Sequence, residues 1–165
     1  MNIQLEPDDI IAANELADGT YQKYKDHPGH YRNLLSSHII GKLGEMAAYK
    51  YFKQNHKDVT PHFLYEEQDQ LCDITVDGIR WDIKTWNTKY WSFWGRAVSV
   101  NQLQLLVNKA DKILWTSVDP DNPQAVDIYG WNDVSEIAQF EPAWMGPEGR
   151  QVLNHQVPLD KMHQI

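Results

Sequence analysis

Two aspartates and a lysine lie close together in a stretch that predicts a β-hairpin. Asp73 precedes the dipeptide Asp77-Gly78, and Asp82 and Lys84 follow it. Asp-Gly between two alternating runs is a strong signal for a two-residue turn, because both turn positions need a positive φ. Two carboxylates beside an ammonium group can bind a hard divalent cation and support hydrolysis assisted by it.

The turn also fixes the expected register of the hairpin. Pairing outward from it places Asp73 directly opposite Asp82, with Cβ atoms about 4.5–5.5 Å apart, and places Leu71 opposite Lys84. The other face is expected to be apolar and holds Cys72, Ile74, Val76, Ile79, Trp81 and Ile83. Opposed like charges are unfavourable unless one is protonated or a cation lies between them. The hairpin therefore predicts a cation site, and a polar face that points at water is the alternative.

A helix predicted over residues 31–55 precedes the hairpin and carries a further carboxylate, Glu45. Its apolar residues recur at three- and four-residue spacing. Gly41 and Gly44 favour close packing against a neighbouring element, since a glycine inside a helix costs roughly 1 kcal/mol relative to alanine. We therefore expect Glu45 to reach the hairpin, and a helix acid that faces solvent is the alternative.

These residues together resemble the PD-(D/E)xK phosphodiesterase superfamily, which includes type II restriction endonucleases, resolvases and related phage and repair nucleases. The resemblance rests on Gly41-Lys42-Leu43-Gly44-Glu45, on Asp73 and on Asp82-Ile83-Lys84, within a core from about Leu35 to Val118. A Cys rather than a Pro precedes Asp73, and position 82 holds Asp rather than the commoner Glu. The resemblance implies a restriction endonuclease-like α/β fold, with a mixed β-sheet flanked by helices in the order αβββαβ.

The resemblance also implies a role for each residue of the motif. Asp73 and Asp82 would ligate Mg²⁺ through their side chains and Ile83 through its backbone carbonyl, and Mn²⁺ could substitute. Glu45 would reach the ion directly or through water. Lys84 would orient or deprotonate the attacking water and offset the charge that develops on the phosphate. The expected activity is that of a metal-dependent DNA endonuclease with Glu45, Asp73, Asp82 and Lys84 as catalytic residues.

The net charge of −8 hides two basic segments. Residues 21–57 carry +5 and residues 78–112 carry +4, whereas residues 113–149 carry −7 and contain no Lys or Arg. A polyanion such as DNA could bind the basic segments while the acidic part faces away. Surface charge kept for solubility explains the same counts equally well.

A dense aromatic segment lies beside the predicted site and is expected to form a loop over residues 86–95. Its rings could stack on bases while neighbouring cations bind phosphates, or they could form a dimer interface or a core layer under the sheet. The candidate nucleic-acid contacts are Lys42 on the predicted helix, Lys89 and Arg96 in or next to the aromatic segment, and Gln102 and Gln104 after it.

Length and composition narrow the class of protein. With 165 residues and 42% hydrophobic residues, we expect a single nuclease-like domain over 1–165, with its core at about 31–130, an N-terminal helix and a C-terminal extension. A lone cysteine excludes an internal disulfide framework. The acidic N-terminus does not resemble a secretory signal, which favours a cytoplasmic protein. A homodimer or higher homo-oligomer is expected, because it would bring two active sites onto one duplex.

Two other functions remain open from the sequence. One is a catalytically silent nuclease-fold protein that binds nucleic acid or a partner without cutting. The other is a carbohydrate-binding or glycosidase-like module, in which the seven tryptophans stack on sugars and two acids act as acid and base. Closely opposed carboxylates fit a metal site better than the wider spacing of an inverting glycosidase, and such an enzyme gives the lysine no role.

Overall fold

A curled, six-stranded mixed sheet forms the centre of the computed structural model, which describes residues 1–26, 34–65, 72–146, 148–149 and 151–165. The strands are paired in the order β1 (Asn2–Gln4), β7 (Asn122–Asp133), β6 (Lys112–Asp119), β4 (Ile79–Asn87), β3 (Ile74–Val76) and β2 (Val59–Pro61). β4 and β6 are parallel, and the other neighbouring strands are antiparallel. The predicted α/β class, with helices beside a mixed sheet, is confirmed.

Helices cover the sheet on both faces. The longer ones are α1 (Pro7–Tyr24), α2 (Leu35–Asn55) and α4 (Val100–Lys109), and the short ones are α3 (Thr88–Trp94) and α5 (Val134–Ile137). Leu43 and Ala47 of α2 share a hydrophobic cluster with Ile83 of β4, whereas Leu103 of α4 shares a second cluster with Trp115 of β6. Side chains alternate along a strand, so consecutive residues of β4 face α2 and α4 in turn. No helix in the described part of the chain combines the length and apolarity needed to cross a bilayer.

A second, three-stranded antiparallel sheet forms part of the layer that contains α4. Its strands are β5 (Ala97–Ser99), β9 (Val152–Gln156) and β8 (Ala143–Met145), in that order. Val98 and Val157 are fully buried in the cluster under α4. The C-terminal segment therefore completes the packing on this face of the central sheet.

The predicted hairpin turn is present. Asp77 and Gly78 have φ values of +48° and +82°, the left-handed conformation that the Asp-Gly dipeptide predicts. Val76 pairs with Ile79, and Ile74 pairs with Trp81. The predicted register is confirmed for these pairs, although β3 is short and begins at Ile74.

The helix before the hairpin, predicted over residues 31–55, is α2 (Leu35–Asn55), and Leu34 before it is extended. Residues 31–33 lie outside the described part of the chain. The prediction of a loop over residues 86–95 is wrong, because β4 continues to Asn87 and α3 follows at once. The Asn87 side chain accepts a hydrogen bond of 2.8 Å from the Lys89 N–H and so caps α3.

The aromatic residues of this segment divide between core and surface. Trp91 is buried and stacks on Tyr129, with ring centroids 3.9 Å apart. Tyr90 and Trp94 stack on each other, and Phe93 is exposed. The core interpretation therefore fits Trp91, while the other interpretations remain open for the exposed rings.

Candidate active site

The site lies where strand pairing along one side of β4 ends. β3 pairs with β4 only as far as Trp81, while β4 continues to Asn87. Beyond Trp81, no strand of the described chain pairs with β4 on this side. Asp73 lies at this point, and its carboxylate Oδ2 accepts a hydrogen bond of 2.6 Å from the Ile83 N–H. A side-chain carboxylate therefore accepts the hydrogen bond that a carbonyl of a neighbouring strand would otherwise accept.

Asp73 departs from the predicted ladder, in which it is paired with Asp82. Its own N–H donates to the Trp81 carbonyl, and its carbonyl accepts hydrogen bonds from the N–H groups of His62 and Phe63. These bonds turn the chain away from β4 before Asp73 can pair with Asp82. The two aspartates are consequently neighbours around the end of the ladder rather than a directly opposed pair.

The same turn changes the surroundings of Cys72. The sequence predicts it on the apolar face with Ile74 and Ile83, but Cys72 packs in the cluster under α4, whereas Ile74 and Ile83 pack in the cluster under α2. This part of the predicted apolar face is wrong, because a strand alternation holds only while the strand continues. The predicted partner of Lys84, Leu71, lies outside the described residues.

Asp82 and Lys84 share one face of β4, opposite to the face on which Ile83 packs under α2. The Lys84 Nζ lies 2.6 Å from the Asp82 Oδ2. The Lys84 and Asp82 side chains are 23% and 13% exposed. The two groups therefore form a largely buried, charge-assisted ion pair.

Glu45 reaches the same region from α2, which lies very close to the sheet. A Cβ added to Gly44 would come within 1.8 Å of the Thr85 Oγ1, so α2 can pack this closely only with a glycine at that position. Glu45 is 9% exposed, and its Oε2 lies 2.6 Å from the Lys42 Nζ. The small residue thus lets the helix bring a buried carboxylate to the site.

The pKa values show that these groups interact. Burial raises the pKa of Asp73 well above its ordinary value, and repulsion from the Asp82 and Glu45 carboxylates raises it further, while Lys84 acts in the opposite direction. Burial also raises the pKa of Glu45, against the attraction of Lys42. For Lys84, burial lowers the pKa but the Asp82 and Asp73 carboxylates outweigh it, so the net direction is upward. Three carboxylates and Lys84 therefore form one electrostatic cluster.

Replacing Asp73 by Asn is expected to stabilise the metal-free protein at neutral pH. The raised pKa means that the folded state binds more protons than the unfolded state above the ordinary value of 3.8. Wild-type stability therefore falls as pH rises through the window between 3.8 and the folded-state pKa. The Asp73→Asn variant does not lose stability in this way. The difference between its free energy of unfolding and that of the wild type, measured in urea with EDTA, should therefore increase from acid to neutral pH.

The matched control for this prediction is Asp121→Asn, which removes an exposed carboxylate near the end of β6. It should show no such pH-dependent gain. An Asp73→Asn variant that is less stable than the wild type at neutral pH would contradict the proposed repulsion at the site.

The donor set at this site fits a hard divalent cation. Carboxylate oxygens are the ligands that Mg²⁺ prefers, and Glu45, Asp73 and Asp82 lie within electrostatic range of one another. As the side chains stand, however, no three His, Cys, Asp or Glu groups in the described chain are arranged as a metal-binding cluster. Lys42 and Lys84 contact two of the carboxylates, and the Ile83 N–H donates to the third.

The predicted nucleic-acid contacts fall into two groups. Lys89 is exposed on α3, and Gln102 and Gln104 are exposed on α4. Within the described residues neither glutamine forms a hydrogen bond to Lys84. These three residues remain candidates for contacts with a ligand on the surface.

Arg96 and Lys42 are buried, which argues against their predicted contacts with phosphates. The Arg96 guanidinium donates to the carbonyls of Val157 and Trp91, and Arg96 itself is 5% exposed with a φ of +61°. These hydrogen bonds connect α3 to the segment that follows β9. Lys42 is 7% exposed and pairs with Glu45, so its charge belongs to the interior of the site.

The Lys42–Glu45 pair is the feature that sequence reasoning missed. A spacing of three residues on a predicted helix places two side chains on one face and was sufficient to indicate the pair. What it could not indicate is burial, since such pairs usually lie on helix surfaces.

Comparisons of the chain with protein-family models, with curated proteins and with solved structures give no significant match. The case for a function therefore rests on the residues and geometry described above.

Proposed function

We propose that this protein is a metal-dependent deoxyribonuclease of the PD-(D/E)xK type, which hydrolyses phosphodiester bonds with Mg²⁺ as cofactor and with Mn²⁺ as a possible substitute. The observation that carries the proposal is the electrostatic cluster of Glu45, Asp73, Asp82 and Lys84 around the end of pairing on β4. Three separate segments of the chain contribute these residues, and buried carboxylates with raised pKa values that cluster in this way are typical of functional sites.

The order of elements supports a restriction endonuclease-like core. Along the chain, α2 is followed by β2, β3 and β4, then by the crossover that contains α4, and then by β6 parallel to β4. This is the αβββαβ order that the resemblance implies. The candidate residues fall on the elements that carry them in that order, with Glu45 on α2 and Asp82 and Lys84 on β4.

Each residue of the site has a distinct role in the proposed reaction. Asp73 and Asp82 would hold the ion through carboxylate oxygens, with Glu45 beside them, and the Ile83 carbonyl is the fourth expected ligand. Bound Mg²⁺ would supply an activated water and neutralise charge on the phosphate. Lys84 carries an ammonium group next to Asp82, which positions it to orient the attacking water and to offset negative charge on the phosphate in the transition state.

A surface for DNA is available beyond this site. Lys89 lies in the first turn of α3, directly after β4, and the stacked rings of Tyr90 and Trp94 follow it. A cation next to stacked aromatic rings suits a nucleic-acid backbone and its bases. A homodimer or higher homo-oligomer on the duplex remains part of the proposal.

Plasmid cleavage tests the proposed activity. We expect the protein to convert supercoiled plasmid to nicked or linear DNA in Mg²⁺ or Mn²⁺, and EDTA should abolish the reaction because the carboxylates then have no cation to hold. The double variant Asp73→Asn/Asp82→Asn controls for a contaminating nuclease. Cleavage that survives EDTA would contradict the mechanism.

A catalytically silent nuclease-fold protein that binds nucleic acid or a partner is the alternative, and one observation favours it. The Lys42 and Lys84 ammonium groups already lie on two of the three carboxylates, so the cluster is partly neutralised without a metal. A gel shift of DNA with no cleavage in either metal would support this alternative.

A further inference from the structure

A buried ion pair joins Glu45, one of the proposed catalytic residues, to Lys42, which lies about one helical turn before it. The Lys42 Nζ is 2.6 Å from the Glu45 Oε2, and the two side chains are 8% and 12% exposed. The same Nζ lies 5.7 Å from the centre of the Phe63 ring, just after β2. The ammonium is therefore enclosed between α2 and the segment that also holds the Asp73 backbone.

Its burial sets this pair apart from an ordinary helix pair. Ion pairs at this spacing usually lie on the surface, where both groups keep their hydration and contribute little to stability. Burying a lysine ammonium removes its hydration and is costly unless a strong local negative charge compensates for it. Glu45 alone is one such charge, and Asp73 and Asp82 contribute to the same negative region.

The charges of the described residues at the site favour a single divalent cation. Among these residues, Glu45, Asp73 and Asp82 together with the ammonium groups of Lys42 and Lys84 leave a net formal charge of −1. One divalent cation would leave a small positive charge, whereas a second would leave a large positive charge in a buried site, which is unfavourable. The Glu45 Oε2 already contacts the Lys42 ammonium.

We propose that the Lys42 ammonium takes the place of a second divalent cation at Glu45, so that the site binds a single metal ion. This inference rests on the proposed function, since it concerns the same site. It assigns Lys42 a positioning role through Glu45, and it predicts a property that a purely structural ion pair does not have, namely the number of ions that bind.

The test is the stoichiometry of Mn²⁺ binding without DNA, measured by calorimetry and by electron paramagnetic resonance. The wild-type protein should bind one ion per chain and give the spectrum of an isolated Mn²⁺. Lys42→Met, which keeps the length of the side chain but removes its charge, should bind a second ion and give the spectrum of a spin-coupled pair. Lys53→Met, on the exposed side of the same helix, is the matched control and should retain one ion.

Circular dichroism checks that each variant folds, and Lys42→Gln provides a second neutral variant that can still donate a hydrogen bond to Glu45. It should also gain a second ion. Two ions in the wild-type protein, or a single ion in a folded Lys42→Met or Lys42→Gln variant, would overturn the inference and leave the proposed function intact. If no Mn²⁺ binds to the wild-type protein, the proposed function fails, and the inference fails with it.

Discussion

Replacing Lys84 by Ala is expected to lower the rate of Mg²⁺-dependent DNA cleavage by about 10³-fold or more, since a preorganised charge aimed at the reacting phosphate is worth several kcal/mol in the transition state. The ammonium lies beside Asp82 on β4, within the cluster that holds the proposed metal ligands. Its loss should affect the chemical step more than the binding of DNA. The measurement is single-turnover cleavage with protein in excess, together with a gel shift for DNA affinity.

Two controls make this result interpretable. Lys53→Ala removes an exposed positive charge on α2 and should leave the cleavage rate unchanged. Lys84→Arg keeps a positive charge but alters its shape, so it should recover only part of the rate. A Lys84→Ala protein that is folded, binds DNA and cleaves at the wild-type rate would remove Lys84 from the mechanism.

Replacing Gly44 by Ala is expected to destabilise the protein by about 2–3 kcal/mol or more, because overpacking at a rigid contact forces the backbone to shift. The new Cβ would lie 1.8 Å from the Thr85 Oγ1 and 2.8 Å from the Thr116 Oγ1. These hydroxyl groups are hydrogen-bonded to each other on neighbouring strands, and β-branched side chains have little freedom to rotate away. Urea unfolding measures the effect.

Gly41 supplies the matched control on the same helix. A Cβ added there has no heavy atom within 4 Å among its non-local neighbours. Gly41→Ala should therefore stabilise the protein by about 0.5–1 kcal/mol through helix propensity alone. The sequence predicts close packing at both glycines, but the structure shows it only at Gly44. Equal effects of the two substitutions would refute the described contact between α2 and the sheet.

Local signals in the sequence predict those elements whose geometry depends on near neighbours. The Asp77-Gly78 turn and the first pairs of the hairpin follow from turn chemistry and alternation, and both are present. The N-terminal strand β1 had no such signal, because it is only three residues long. Its pairing with β7 joins segments more than 120 residues apart in the sequence, so nothing nearby indicates it.

The arrangement of the site was predictable only in part. The motif indicates which residues could act together, and their electrostatic coupling in the structure is compatible with that hypothesis, while their catalytic roles stay a prediction. The position of Asp73 depends on hydrogen bonds from His62 and Phe63, which come from a separate segment before the hairpin. The burial of Arg96 depends likewise on the Val157 carbonyl just after β9, some sixty residues later in the chain. The spacing of residues in the sequence does not indicate such long-range contacts.

The incomplete pairing of β4 has a consequence for how separate molecules behave at high concentration. A sheet edge that exposes N–H and C=O groups can recruit a strand from another chain and so start aggregation. Here the Asp73 carboxylate caps the Ile83 N–H, and charged side chains at the same place oppose the approach of an apolar strand.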